Sequence, residues 1–240
     1  MGMVSSGRTA SRRSSPATPS AAIVRTSSGE QVALHIRRLI FDGELKPGTR
    51  VPQDAIAQSL GVSRIPVREA LIALEREGWV TIEMHRGAFI NAFDEPAVRD
   101  HYELFGLIYG FAARRAIDRS DGELVERLAA IEAQIESARR PEDLSHLFIS
   151  FHATVVEGAQ SPRITVALRA MSSLVPGNFF ELVPDAVAIE RSGIASILKA
   201  LRRGDGDKAA AGYSRMMRKV GDTVVDLFAE RGLFGEAASS

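Results

Sequence analysis

The sequence contains no cysteine and no long apolar run. Without cysteine the chain forms no disulfide and offers no thiolate ligand to a metal. No stretch approaches the roughly 20 apolar residues that a membrane-spanning helix needs. Apolar residues still make up 45% of the 240, an ordinary share for a globular protein of one large or two small domains. We therefore expect a cytoplasmic protein with no membrane partner.

Net charge is absent too, but the charges are unevenly distributed. Residues 1–93 carry 12 basic against 8 acidic side chains, whereas residues 94–240 carry 18 against 22. The N-terminal part therefore has the positive balance that a phosphate-binding surface requires.

The sequence also lacks the motifs that are diagnostic of enzymes. There is no glycine-rich phosphate loop, no zinc-protease motif and no convincing pair of nucleophile and base. Carboxylates and five histidines are present, but none forms a diagnostic array. We expect a protein that is not an enzyme and that carries no cofactor.

The N-terminal part divides into a tail and a small domain. Residues 1–28 are rich in Ser, Ala, Thr and Arg without an apolar period, which predicts a disordered tail; a transit peptide is the less favoured interpretation. Residues 29–93 show three helical patterns and then two short strands, which together predict a winged helix. The predicted helices are 29–42, 53–60 and 64–77, and the predicted strands are 79–82 and 88–90.

The stretch Gly61–Leu71 reads as the turn and second helix of a helix-turn-helix. Ser63 has a hydroxyl that caps the next helix or bonds a phosphate, and Pro66 falls in the first turn, where its missing N–H costs nothing. Arg64 and Arg68 are four residues apart and share one face, opposite the apolar back of the helix. A helix with arginines at its N-terminal front suits the major groove of DNA.

From residue 94 onward only helical patterns appear. They predict an antiparallel bundle of about six helices over residues 94–232, with an irregular loop at 175–185 and a short tail at 233–240. One predicted helix carries the apolar stripe Leu124, Leu128, Ile131 and Ile135, and the others are 95–119, 143–157, 162–173, 187–203 and 205–231. The last of these carries a broad apolar stripe at Tyr213, Met217, Val220, Val224 and Leu227. His101 is predicted to be a surface residue near the linker. The expected fold class is therefore mostly α, with an N-terminal winged helix-turn-helix and a C-terminal all-helical bundle.

Residues 32–93 resemble the winged helix of the GntR family of bacterial repressors. The resemblance rests on "GELKPGTR" at 43–50, "GVSRIPVREAL" at 61–71, "LEREG" at 74–78 and "RG" at 86–87. It implies that DNA is contacted by the recognition helix and the wing. Ile65 replaces the usual threonine and could contact a thymine methyl. The implied DNA-binding residues are Arg50, Ser63, Arg64, Ile65, Pro66, Arg68, His85, Arg86 and Gly87, while Arg37 and Arg38 are weaker candidates.

Residues 94–232 resemble the effector domain, called FCD, of the FadR-like branch of that family. The matching features are "FH" at 151–152, "SPR" at 161–163 and "ALRRGD" at 200–205. Many members hold a divalent metal with one aspartate and three histidines. Here only His152 remains of that set, and one imidazole does not hold a hard cation against water, so we predict no metal. The positions that match the other three ligands are Phe148, Ile194 and Met216.

Two further positions are apolar or aromatic, because Phe105 and Tyr109 stand where the family usually shows arginine and glutamate. We therefore expect an apolar or aromatic effector in a pocket formed with the metal-site positions, anchored by His152 or Tyr109. The alternative is a collapsed core with a satisfied histidine.

Together these features predict a ligand-responsive transcriptional repressor that binds palindromic double-stranded DNA as a homodimer. A small-molecule effector would release or remodel the complex. Two alternatives remain: a non-inducible DNA-binding protein whose bundle serves only dimerisation, and a metal-dependent carboxylate sensor.

Overall fold

The structure, a computed structural model, describes residues 27–120, 122–171, 174–175 and 179–235. The predicted N-terminal tail lies outside these residues up to position 26. Its last two positions belong instead to the first helix, because the Ser27 side chain accepts a hydrogen bond from the Glu30 amide at 3.2 Å and caps a helix that begins at Ser28.

The first part of the fold is three helices followed by a two-stranded antiparallel hairpin, which confirms the winged helix. α1 packs on α3, and residues such as Ile36, Val67 and Leu74 are fully buried between them. The hairpin pairs Val80 with Ile90 and Glu83 with Gly87. The elements are α1 (Ser28–Phe41), α2 (Gln53–Ser59), α3 (Arg64–Arg76), β1 (Val80–Glu83) and β2 (Gly87–Ile90).

Two local features position α3. Gly61, in the turn after α2, has a φ of +64°, a conformation that glycine adopts without strain. At the other end, Arg37 of α1 forms an ion pair with Glu77, just past α3, and both side chains are largely buried. The helix is therefore held at both ends while its front remains exposed.

The second part is a helical bundle, as predicted, with six long helices and one short one among the described residues. The short helix α8 lies within the segment predicted as an irregular loop, where Phe179 is buried. α9 begins in that segment too, because Pro184 occupies a first-turn position that needs no N–H donor. The elements are α4 (Glu95–Arg119), α5 (Glu123–Ser137), α6 (Pro141–Gly158), α7 (Pro162–Ala170), α8 (Phe179–Leu182), α9 (Pro184–Leu201) and α10 (Gly206–Glu230).

The two longest helices, α4 and α10, pack against each other through small residues. A Cβ placed on Gly106 would lie 3.0 Å from the Ser214 Cα, and one placed on Gly110 would lie 3.1 Å from the Ala210 Cα. Only glycine permits this approach. The apolar stripe predicted for the last helix is buried as expected, at Tyr213, Met217, Val220, Val224 and Leu227. None of the described helices is both long and apolar enough to cross a bilayer.

An aromatic junction joins the winged helix to the end of α10. It consists of Phe41, Trp79, Phe93 and Phe228. The Phe93 ring centroid lies 4.9 Å from that of Trp79 and 4.8 Å from that of Phe228, in edge-on geometries that aromatic pairs favour. The last turn of the bundle is therefore in direct contact with the winged helix.

Residues 233–235, predicted as part of a C-terminal tail, pack on this junction instead. The Phe93 amide donates to the Leu233 carbonyl at 2.9 Å, and the Gly235 amide donates back to the Phe93 carbonyl at 3.2 Å. Leu233 is fully buried. The physical reason is that an apolar Leu-Phe pair gains by covering the junction, which would otherwise meet water. Residues 236–240 lie outside the described part.

Candidate nucleic-acid interface and bundle site

The front of α3 carries the two predicted arginines side by side in solvent. Arg64 is the first residue of the helix, and Arg68 lies one turn later on the same face. Arg68 has no ion pair or hydrogen bond with the described part of the chain. The Arg64 Nε lies 2.7 Å from the Oδ1 of Asp54 on α2, a partner that the sequence did not reveal.

Three more predicted residues lie at the start of α3. Ser63 is the residue before the helix and has extended backbone angles, but its side chain makes no capping hydrogen bond. Its hydroxyl is thus available for a phosphate. Ile65 is 68% exposed, which leaves its apolar side chain facing outward, and Pro66 is half-buried behind it.

The structure brings Arg50 and Gly87 together beside α3. A Cβ at Gly87 would lie 2.7 Å from the Arg50 Nε, so the arginine side chain crosses close to the backbone of the wing. Gly87 also has a φ of +107°, which L side chains rarely adopt. A groove of about 570 Å³ lies between the start of α2 and the start of α3, and Arg50, Asp54 and Arg64 line it.

The tip of the wing is exposed and partly aligned by its own contacts. His85 has a φ of +64° and faces solvent. Arg86 pairs with Glu83, and its guanidinium lies 5.3 Å from the centre of the Phe89 ring. Met84, which the sequence analysis missed, is 82% exposed beside His85. An apolar side chain at a wing tip is the kind of group that enters a minor groove.

The two weaker candidates on α1 differ from each other. Arg37 is only 12% exposed, and its ion pair with Glu77 fastens α1 to the end of α3. Arg38 is exposed and lies 3.4 Å from Asp42 one turn later.

In the bundle, His152 of α6 is the centre of a buried polar cluster. Its Nε2 lies 3.1 Å from Oε2 of Glu190 on α9, and its Nδ1 lies 3.2 Å from the hydroxyl of Tyr213 on α10. His152 is 7% exposed, Glu190 5% and Tyr213 fully buried. All three groups are satisfied when Nε2–H donates to the carboxylate and Nδ1 accepts from the phenol.

Aromatic rings extend this cluster toward α4. The ring of Tyr109 is stacked on that of Tyr213 at 5.4 Å and on that of Phe105 at 5.8 Å, and its centroid lies 5.3 Å from that of His152. Burial raises the pKa of the Tyr109 hydroxyl to about 12, and that of Tyr213 is raised as well for the same reason. Both phenols are therefore protonated donors at neutral pH.

The other predicted pocket residues line the same region of the fold but are packed. Phe148 lies one turn before His152 on α6 and packs edge-on against Phe180 at 5.0 Å. Ile194 lies one turn after Glu190 on α9, and both Ile194 and Met216 are buried. All three side chains are at most 2% exposed, so each is enclosed by its neighbours in the bundle.

Glu190 and Tyr213 are the site residues that sequence reasoning missed. Tyr213 was visible only as one position of the apolar stripe on α10. Glu190 stands among 30 acidic residues and has no spacing that sets it apart. Only the structure identifies Glu190 as a site residue, because its partner His152 lies 38 residues away along the chain.

The donor set in the bundle does not fit the metal site of the resembled family. Within the described residues, no three His, Cys, Asp or Glu side chains converge in a way that could hold a metal ion. His152 has one carboxylate partner, and the positions matched to the remaining ligands carry apolar side chains.

His101 is not the exposed surface residue that the sequence predicts. It is half-buried against Phe105, with ring centroids 4.8 Å apart, and its Nε2 is buried without a hydrogen-bond partner among the described residues. Burial lowers the pKa of His101 to about 4, because the imidazolium would lose its hydration there. Helical periodicity put His101 on α4 but could not show what packs over it.

Two family models match the chain over these same two parts. Residues 28–90 match the model described as bacterial regulatory proteins, gntR family, and residues 100–219 match that of the FCD domain.

Individual relatives agree with these matches. An HTH-type transcriptional regulator of Mycobacterium tuberculosis is 35% identical over 151 residues, which are 63% of this chain and 62% of the relative. The gluconate operon transcriptional repressor of Bacillus subtilis is 29% identical over 58% of each chain. The chain thus spans about three fifths of the curated relatives it matches. Among solved structures, the E. coli McbR/YncC protein superposes with a TM-score of 0.61 at 16% identity, over 85% of this chain and 98% of that one.

Proposed function

The chain belongs to the GntR family of bacterial regulatory proteins with an FCD C-terminal domain, the FadR-like branch, and on this premise we propose that it is a ligand-responsive repressor. The family consists of DNA-binding transcription regulators and not of enzymes. In this proposal the protein binds a palindromic double-stranded operator as a homodimer in the bacterial cytoplasm.

The observation that carries the proposal is the exposed basic front of α3 on a buried apolar back. Val67, Leu71 and Leu74 fix the helix to the domain core, so Arg64 and Arg68 project together from its first two turns. This is the geometry in which a recognition helix presents its N-terminal residues to base edges in the major groove.

The surroundings of α3 supply contacts to the DNA backbone. Arg68 is a phosphate ligand in this proposal, and the uncapped Ser63 hydroxyl donates to a phosphate at the helix N-terminus. Arg50 and Gly87 place the wing beside the recognition helix. His85, Arg86 and Met84 then face the adjacent minor groove.

A homodimer is supported by an exposed apolar stripe on α4. Leu104, Leu107 and Phe111 are each about half exposed or more, and they lie on the side of α4 away from α10. A bundle helix with apolar residues on both faces is expected to bury the outer face against a partner. A second copy of the chain suits a palindromic operator, whose half-sites would lie about 34 Å apart.

The effector in this proposal is a small apolar or aromatic molecule with one hydrogen-bonding group. It would insert among Phe105, Tyr109 and Phe148 and would exchange its polar group for one partner of His152. Such binding requires side chains to move, because the cluster is packed and its polar atoms already satisfy each other. The remaining residues of the proposed pocket are Ile194 and Met216.

The aromatic junction offers a route from this pocket to DNA. α10 carries Tyr213 and Met216 at its middle and Phe228 at its end, where Phe228 packs against the winged helix. A ligand that moves α10 would therefore reorient the recognition helices, provided that it prefers one of the two arrangements.

The close packing around His152 favours a second candidate function, a non-inducible DNA-binding protein whose bundle only dimerises. Both candidates share the DNA-binding surface and differ in the response to small molecules. Thermal melting with aliphatic and aromatic acids and their thioesters separates them. A rise in melting temperature together with release of DNA supports the inducible repressor, whereas no response to any compound supports the second candidate.

Selection of DNA from a random double-stranded library tests the shared function. The purified protein should enrich an inverted repeat after several rounds at physiological salt. Enrichment of no sequence, with only salt-sensitive binding to every duplex, would contradict the proposal.

A further inference from the structure

We infer that Asp54 is a positioning residue that sets the base preference of Arg64. The inference rests on the DNA-binding function proposed above and extends it to one residue pair. Neither the spacing of the chain nor the family resemblance singled out Asp54, which lies on α2 rather than on the recognition helix.

The geometry of the pair is specific. The Asp54 Oδ1 lies 2.7 Å from the Arg64 Nε, a close ion pair on the Nε side of the guanidinium. Both side chains are strongly exposed, at 72% for Asp54 and 75% for Arg64, and both line the groove between the starts of α2 and α3. An ion pair this exposed adds little to stability, so its consequence lies in the orientation of the guanidinium.

The carboxylate lies against the Nε end of the guanidinium. Arginine has five N–H donors in a rigid planar fork, and four of them are on the two terminal nitrogens. Those two nitrogens make no hydrogen bond within the described part of the chain. They form the edge that makes two parallel hydrogen bonds with the O6 and N7 atoms of guanine.

The same contact separates the functions of the two arginines. Arg68 has no acidic partner among the described residues and can turn toward any phosphate. A phosphate that binds Arg64 would have to approach the Asp54 carboxylate closely. Repulsion between these two negative charges disfavours that contact. Asp54 therefore directs Arg64 away from the DNA backbone and toward a base, and it weakens binding to sequences that lack guanine at that position.

The experiment measures base preference at single positions of the selected operator. Each symmetric pair of positions is substituted in turn, and binding of the wild type and of Arg64→Ala identifies the position that Arg64 reads. We expect guanine there. Asp54→Asn should then lose roughly fivefold or more of the preference for guanine, while its affinity for unrelated duplex DNA increases. Asp54→Glu, which keeps the carboxylate, should retain most of the preference.

Asp207→Asn is a matched control. Asp207 is also exposed and lies 2.9 Å from the Nε of Arg114, but it lies at the start of α10, far from α3. It should leave base preference and affinity unchanged, and melting curves of all variants confirm that they are folded.

Three results would overturn the inference while leaving the proposed DNA binding intact. These are an unchanged guanine preference in Asp54→Asn, a uniform loss of affinity for all sequences, or an Arg64→Ala variant that loses no preference at any position. Failure of the wild type to select any sequence would instead overturn the proposed function itself.

Discussion

The Nε2 atom of His152 lies 3.1 Å from the Oε2 atom of Glu190 in the interior of the bundle. The Tyr213 hydroxyl completes the cluster from a third helix. The helices α6, α9 and α10 are thus connected by three polar side chains that serve mainly one another as hydrogen-bond partners. A buried carboxylate without a hydrogen-bond partner costs free energy. A ligand that enters the cluster must therefore leave Glu190 with a partner.

Removing the imidazole should destabilise the protein strongly. His152→Leu leaves the Glu190 carboxylate buried without its partner, and the expected loss is about 3–5 kcal/mol of unfolding free energy in urea. Adding Glu190→Leu should recover much of that loss, since the unpaired carboxylate is removed. Glu157→Gln is the control, because it breaks an exposed pair with Arg127 and should cost less than about 1 kcal/mol. Equal losses for His152→Leu and the control would refute the prediction.

The packing of the chain end on the aromatic junction should contribute measurably to stability. Leu233 is fully buried, so Leu233→Ala should cost about 2 kcal/mol or more. Ile149→Ala, at an exposed site, should change stability by about 0.5 kcal/mol or less. Trp79 is the single tryptophan and lies in the junction, so its fluorescence should shift to longer wavelength in Leu233→Ala. A loss no greater than that of the control would show that residues 233–235 do not hold the junction.

The outer face of α4 should carry the dimer. Leu107→Glu places a charge at the centre of the exposed stripe and should shift the protein to monomer in sedimentation experiments at micromolar concentration. Operator affinity should fall with it, because a monomer binds only one half-site. Ile149→Glu changes an equally exposed apolar residue on α6 and should leave the assembly unaltered. A dimer that persists in Leu107→Glu would place the interface elsewhere.

His101 should make the protein less stable in mild acid. Its pKa is lowered to about 4 in the folded state from an ordinary value of 6.5, because burial disfavours the imidazolium. Between these pH values the unfolded chain binds a proton at His101 that the folded chain does not. The contribution of His101 to the free energy of unfolding is therefore fully present above about pH 6.5 and is lost as the pH falls toward 4. When the pH is lowered from 7.5 to 5, the melting temperature of His101→Gln should fall by less than that of the wild type. An equal fall in both proteins would contradict the assignment of this pH dependence to His101.

Elements with a strong apolar period were predictable from the sequence. The 25-residue helix α4 begins at Glu95 and ends at Arg119, as its pattern predicts, and the winged helix follows from turn residues such as Gly61 and Gly78. Two of the three helices that begin with proline were placed too late, whereas α7 starts at Pro162 as predicted. α6 starts at Pro141 rather than at 143, and α9 starts at Pro184 rather than at 187, since proline is both a turn residue and a favoured first residue of a helix.

Contacts between distant residues were beyond the reach of periodicity. Asp54 and Glu190 each pair with a predicted site residue, but nothing in their local sequence distinguishes them from the other acidic residues of the chain. The burial of Leu233 was missed for a similar reason. A two-residue apolar patch at a chain end has no period, and its burial depends on the shape of the junction formed by residues far away in the sequence.

The most direct test of the central claim is the affinity of the wild type, Arg64→Ala and Arg68→Ala for the selected operator and for unrelated duplex DNA. Fluorescence anisotropy titrations at one fixed salt concentration give all six values. We expect Arg64→Ala to lose about 1–3 kcal/mol on the operator and little on unrelated DNA, whereas Arg68→Ala should weaken both. Unchanged operator affinity in both variants would contradict α3 as the DNA-reading helix.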